Sequence, residues 1–361
     1  MKLFKQLLVA PAALGLLAPI SASASEVNFD AISSYSEDVV EVDLNSFKPL
    51  SSKETLLSGG EGLVDSHDHD GSFSETTSAS FGVDFVVGAE DGASSEATSF
   101  GYQMGIGLET SFTGEDSLSA TIDIGDGVSG ALAFDDTDDV LTLDGLTYTF
   151  PVGGATAMVG DSTDISAVYT GACAYSAFTD YMGNCGTGNS NGVGGNGATA
   201  AMSYAFDSGF SLAGGVSSTE TSILTAEGSD TFGIEAAYSG DSYGVSVAYT
   251  DAETTTYWGI NGTYAFDFAT LSAGVESEDA DASDSATGFF VGLSFAEVGA
   301  GSLDIGMGTT GNFTDTDTEY YTYEASYAYP VNDGMTITPG VYIVEGATDV
   351  TGFAVKTSFS F

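Results

Sequence analysis

The sequence has no arginine and only five lysines, against 52 acidic side chains, for a formal net charge of −47. A chain so short of cations has no basic patch with which to displace counterions from a phosphate backbone, so nucleic acid is excluded as a partner. There is no G-x-x-x-x-G-K-[ST] phosphate loop, and no cofactor-binding motif stands out. Histidine occurs twice, cysteine twice, tryptophan once and proline six times. Beyond the first two dozen residues no apolar run reaches the roughly 18–20 residues that a membrane-crossing helix needs. What is present is glycine (48), phenylalanine (23) and tyrosine (18), with 42% apolar residues overall. That is far too apolar for a disordered chain and suits a large all-β structure.

Residues 1–24 read as a secretory signal peptide. Lys2 and Lys5 form the positive end, residues 7–20 the apolar stretch, and Ala22-Ser23-Ala24 the small-residue cleavage site. The alternative is an N-terminal anchor, which the shortness of the run and the breaks at Pro11 and Pro19 disfavour. Residues 25–78 are acidic and Ser-rich without a long periodic run; they are expected to be a periplasmic or disordered segment.

From residue 79 onward the dominant pattern is alternation. In 319–329, Tyr321, Tyr323, Tyr327 and Tyr329 share one parity, and Thr322, Glu324 and Ser326 the other. In 350–361, Phe353, Val355, Phe359 and Phe361 oppose Gly352, Ala354, Lys356, Ser358 and Ser360. The two sets face opposite sides of a strand. The second face is Gly, Ser, Thr, Ala and an occasional carboxylate, whereas the outer face of a soluble sandwich is dense in Lys and Glu. A lipid-facing apolar wall around a small-residue, water-filled lumen fits better than a sandwich.

About sixteen candidate strands follow, near 79–88, 99–112, 117–125, 140–150, 155–160, 197–206, 209–217, 231–239, 243–251, 256–266, 268–277, 286–296, 302–309, 319–329, 335–345 and 350–361. Short turns follow the even strands (113–116, 151–154, 207–209, 239–242, 330–334), and longer polar connections such as 89–98 and 276–285 follow the odd ones. Short turns on one side and long loops on the other predict a transmembrane antiparallel β-barrel in the outer membrane, spanning 79–361, with both termini on the short-turn side.

The connection 161–196 has the most unusual composition and holds Cys173 and Cys185. In an exported chain these two are expected to form a disulfide, two unpaired thiols being the alternative. Closing thirteen residues would contribute about 3 kcal/mol in the chain-entropy treatment. Asp161, Asp164 and Asp180 are the carboxylates of this connection. By parity Asp84, Glu109, Asp123, Glu235, Glu276, Asp304 and Glu324 stand on the small-residue face of the wall, with Lys356 as its one cation. The expected lumen carries one sign of charge and prefers cations. Hydration at a loop margin or barrel rim is the alternative for each of these acids.

His67 and His69 lie among aspartates in DSHDHDG (65–71), where a solvated segment is a better reading than a metal site. The acidic stretches 278–284 and 315–319 lack the glycine and glutamate spacing of a calcium loop. Both histidines precede the barrel, so a Ser–His pair on a rigid strand is not expected, and neither is an enzyme.

TLLSGGEGLVDSHDHDG (55–71), GYQMGIGLETSFTGED (101–116), LTYTFPVG (146–153) and KTSFSF (356–361) together resemble the porins of cyanobacteria, especially marine unicellular members, over roughly residues 55–361. The resemblance implies a general diffusion channel for small hydrophilic solutes and ions, often a homotrimer in outer-membrane lipid. It makes Phe361 the signal read by the barrel-assembly machinery. By analogy with sixteen-stranded channels, the connection after strand five folds inward as the constriction. One departure is plain: many of these porins carry an N-terminal S-layer-homology domain, and residues 25–78 are too short for it. A secreted or surface-attached acidic β-protein that binds divalent cations, an adhesin or lattice component, is the competing reading.

Overall fold

The computed structural model describes residues 77–93, 97–127, 132, 134, 137–191, 197–225, 229–281, 285–310 and 319–361. The readings of residues 1–24 as a signal peptide and of nearly all of 25–78, with His67 and His69, lie outside the described residues.

Sixteen strands form one closed antiparallel barrel in which each pairs with its neighbours in sequence and β1 closes on β16. They are β1 (Thr77–Asp91), β2 (Thr98–Thr110), β3 (Ser117–Asp126), β4 (Thr142–Val152), β5 (Ala155–Thr163), β6 (Gly197–Ala205), β7 (Phe210–Ser218) and β8 (Asp230–Ser239). The second half comprises β9 (Tyr243–Asp251), β10 (Thr255–Ala265), β11 (Thr270–Ala280), β12 (Ala286–Val298), β13 (Gly301–Thr309), β14 (Tyr321–Asn332), β15 (Met335–Val344) and β16 (Val350–Ser360). The closing ladder runs to the last residue: Phe81 N–H donates to the Phe361 carbonyl (2.9 Å), Phe361 N–H donates back (3.0 Å), and the two rings stack at 5.5 Å. A closed ladder leaves no strand edge unpaired, which is the condition for placing a sheet in lipid.

The alternation expected from sequence sorts as predicted. Direct cross-strand partners share a face, so Phe85 lies beside Tyr102, Ile234 beside Tyr249 and Ile260 beside Val247 on the outer wall. Most of these outward side chains are exposed, Ile234 at 62% and Val247 at 48%, as a wall built to meet hydrocarbon would be. Rings gather at the short-turn ends: Tyr204 on Phe206, Phe210 on Tyr238, and Tyr264 and Phe268 each on Phe266, with centroids 4.6 to 5.6 Å apart. Tyr and Phe rings at that height form the kind of aromatic girdle found on membrane barrels.

Two short turns are tighter than the sequence suggests. Pro151 and Val152 belong to β4, and Pro330 and Val331 to β14, so only the residues after them turn the chain. A proline, having no N–H to give, is tolerated at a strand end; Pro330 sits beside a register shift. In the turn between β2 and β3, Asp116 accepts hydrogen bonds from Ser111 Oγ (2.9 Å), Phe112 N (2.9 Å), Thr113 N (2.7 Å), Thr113 Oγ1 (2.8 Å) and Tyr148 OH (2.7 Å). Desolvation pushes this carboxyl upward, but the Tyr148, Thr113 and Ser111 donors outweigh it and hold Asp116 well below the ordinary aspartate value.

Candidate functional site

The β5–β6 connection does not stand out into solvent. It folds into the barrel and runs along the inner wall from β6 to β15. Asp164 starts it by capping a one-turn 3-10 helix (Ile165–Val168), its Oδ1 accepting from Ser166 N at 2.7 Å. Ile165 packs on Met158 and Ala201 of the adjoining strands. Farther along, inward polar side chains of the wall receive the loop backbone. Glu235 of β8 accepts from Thr170 N and Gly171 N, both at 2.7 Å. Asn261 of β10 accepts from Ala172 N (3.1 Å), and Ser272 of β11 from Ala174 N (3.2 Å).

Glu324 of β14 makes the densest attachment, accepting from Tyr175 OH (2.9 Å), Phe178 N (2.8 Å), Thr179 N (2.8 Å) and Thr179 Oγ1 (2.6 Å). Four donors around one carboxylate suit a group that accepts only. Burial, then the neighbouring Glu324, keep the Tyr175 hydroxyl well above the ordinary phenol value, so it stays a donor. The chain then turns through a second 3-10 segment (Asp180–Gly186) and returns. Glu276 of β11 accepts from Ser190 N and, at 3.4 and 3.3 Å, from Asn189 N and Nδ2; Thr250 Oγ1 donates to the Ser190 carbonyl at 2.8 Å. Cys173 and Cys185 form the disulfide expected from the sequence, joining the outgoing arm to the returning one with Cα atoms 5.7 Å apart.

The inner-wall glycines have a use that sequence parity did not show. A Cβ on Gly340 would lie 2.4 Å from the Phe178 ring, and one on Gly292 2.5 Å from the Tyr175 ring. No Cβ can stand there while the loop rings occupy those sites. On this side of the barrel the small-residue face receives a loop instead of facing water.

The predicted lumen acids therefore fall into two groups. Glu235, Glu276, Asp304 and Glu324 face inward, but are only 2%, 0%, 8% and 4% exposed. Three of them hold the loop, and Asp304 accepts from Ser294 Oγ. They do not line an open water column, because the loop covers β8 to β14. Asp84, Glu109 and Asp123 stand on the uncovered inner wall of β1 to β3, partly or fully exposed, and Asp180 is exposed on the loop. Asp84 takes a hydrogen bond from Gln103 Nε2 at 3.1 Å, and Ser117 Oγ donates to Glu109 at 2.9 Å. Asp161 departs from the expectation. It lies within β5 opposite Leu146, a register that puts it on the outward parity, away from the inward acids. The cause is where the strand ends: β5 runs to Thr163, with a register shift between Gly160 and Thr163 on its β6 side.

Lys356 faces inward on β16 between Thr338 of β15 and Val86 of β1. With Asp84 and the loop's Asp180 it lines a cavity of about 240 Å³, so the inner surface is not of one sign at this point. The cavity also shows what sequence reasoning missed. Leu132 and Phe134, from the β3–β4 connection, reach inward and pack with Val86, Phe178, Tyr342 and Ala354. The signal was the apolar ALAF (131–134) within an otherwise acidic connection. No cluster that could hold a metal occurs among the described residues.

The family model for Gram-negative porins matches residues 65–345. Among solved structures, Pseudomonas putida OprB aligns at 12% identity over 79% of this chain and 94% of its own, with a TM-score of 0.63. A double mutant of the Rh. blastica porin aligns at 17% identity over 79% of this chain and all of its own, with a TM-score of 0.56. Both likenesses are of fold. No curated protein matches the chain in sequence. The family match covers well over half of the residues of this closed sixteen-stranded barrel, and the chain belongs to the Gram-negative porin family.

Proposed function

We propose that this porin lets small hydrophilic solutes and ions cross the outer membrane by passive diffusion, with a preference for cations, through a lumen narrowed by the β5–β6 loop. The observation that carries the reading is that loop's course: it lies inside the barrel and is tied to the far wall by Glu235, Glu276 and Glu324. It occupies one side of the lumen, and on this reading solutes pass along the inner wall of β1 to β4, where Asp84, Glu109 and Asp123 stay at least partly exposed. The preference for cations follows from the groups on that passage. Asp84, Glu109, Asp123 and Asp180 face a single ammonium, Lys356, and in a confined aqueous passage with low-dielectric walls such an excess of one sign raises the local concentration of the opposite ion.

The finer parts of the reading come from sequence. Residues 1–24 act as the export signal, 25–78 as an acidic periplasmic segment, and Phe361 as the residue read by the assembly machinery. The functional unit is a homotrimer, as in the cyanobacterial porins the chain resembles. An acidic soluble adhesin would have to cover the apolar outer wall, and nothing favours that reading. The decisive measurement is the reversal potential of single channels in a planar bilayer under a KCl gradient. A potential of the sign set by potassium supports the proposal; one set by chloride overturns the cation preference. Chemical cross-linking in detergent that yields only monomers would overturn the trimer.

A further inference from the structure

We propose that the cavity between the loop tip and the wall of β1, β2 and β16 is a subsite for a small zwitterionic solute with an apolar body, such as a neutral amino acid. The inference rests on the porin reading and gives it a solute class. Lys356 is the only cationic side chain among the described residues, and it opens on this cavity beside Asp84 and Asp180. Both signs of charge thus line one space of about 240 Å³. That is below the roughly 300–1,000 Å³ of sites for drug-sized ligands, so the cavity fits a smaller solute.

The remaining lining selects among charged solutes. Phe134, with the small exposed edges of Phe178 (8%) and Leu132 (5%), presents an apolar surface beside the charges. A bare inorganic cation gains nothing from such a surface, which cannot replace its hydration. A monocarboxylate would pair with Lys356 but meet two like charges, and an amine would pair with the aspartates but be opposed by Lys356. A zwitterion answers both. Its carboxylate takes the Lys356 ammonium, its ammonium takes Asp84 and Asp180, and its apolar body lies on Phe178, Leu132 and Phe134. Asp84 has the capacity, because Gln103 Nε2 occupies one acceptor site of the several a carboxylate offers.

The experiment is calorimetric titration of the full-length protein in detergent with leucine, with isopentylamine and with 4-methylpentanoate. The three share a branched apolar body and differ in their charges. Leucine is expected to bind at least tenfold tighter than either. Lys356→Gln is expected to weaken leucine at least tenfold, Lys356→Arg to retain most of the affinity, and Asp180→Asn, at an exposed loop position, to weaken it severalfold. Equal affinity for the three solutes, no leucine binding, or unchanged binding by Lys356→Gln would overturn the subsite. The solute comparison on the unmodified protein stands even if Lys356→Gln does not fold. Conductance in KCl tests the porin reading separately: channels that conduct but do not bind leucine remove the subsite alone, and leucine binding without conductance removes the porin reading alone.

Discussion

Glu324 shows how one side chain can fix a functional element. Its carboxylate collects four donors from loop residues nearly 150 positions earlier in the chain, in a setting only 4% exposed. Replacing it with alanine leaves buried N–H and O–H groups without partners, at a cost of about 3 kcal/mol. The loop should detach locally while the ladder stays intact. Glu324→Ala channels are expected to show larger and noisier single-channel currents than the unmodified protein, with unchanged heat-modifiable migration on a gel. Unchanged currents would show that the carboxylate does not hold the loop in place. Asp116 acts at the opposite end, in the β2–β3 turn. Because its folded-state carboxyl is held below the ordinary aspartate value of 3.8, it stabilises the turn above that pH, and the contribution fades as acid lowers the pH further. Asp116→Asn is therefore expected to lower the unfolding temperature at pH 7, with the difference from the parent shrinking below pH 3.8. A gap that widens on acidification would contradict this.

At the scale of elements, the β5–β6 loop is built as two arms crossed by one covalent bond. Cys185 is fully buried against Met182, Tyr175 and Phe290, and Cys173 packs at the edge of that cluster. The disulfide closes a short loop inside the lumen, so its effect is local stiffness; removing it leaves the barrel ladder untouched. Reduction by dithiothreitol is expected to broaden the distribution of single-channel conductance without altering the heat-modifiable migration. Currents as uniform after reduction as before would assign rigidity to the Glu235, Glu276 and Glu324 attachments alone. All sixteen strands were legible from alternation because the pleat repeats every two residues whatever the chain packs against. Their ends were less so. Pro151 and Pro330 look like turn residues in sequence, yet both lie in strands, because a proline at a strand end gives up only a hydrogen bond the ladder can spare.

For the whole molecule, an apolar exterior and an acidic balance make two demands. The exterior needs lipid or detergent. The formal charge of −47 repels itself and is eased by salt, since the Debye length falls from about 10 Å at 0.1 M to about 3 Å at 1 M. The cation preference of the channel is accordingly expected to be strongest in dilute KCl and to decline toward 1 M, measured as the permeability ratio from reversal potentials. A ratio independent of salt would place its origin in close ion contacts and not in the long-range field of the wall.

The sequence by itself determined the barrel: its strand number, its alternating walls and the pairing of its two cysteines. These follow from local periodicity and from a composition with no arginine, which the chain carries wherever it folds. It also assigned an inward parity to Glu235, Glu276, Asp304 and Glu324, and the inward direction is what the structure has. Only the tertiary structure decided what they meet. Parity tells which way a side chain points; it does not tell whether water or a loop from elsewhere in the chain lies there. The acids were expected on a water-filled lumen face, yet the loop covers one side of it, burying four of them and filling the space above its glycines. The same loop brings Asp180 to the cavity that Asp84 and Lys356 share across the closing seam of β1 and β16. That meeting depends on contacts between segments far apart in sequence, which no local pattern encodes.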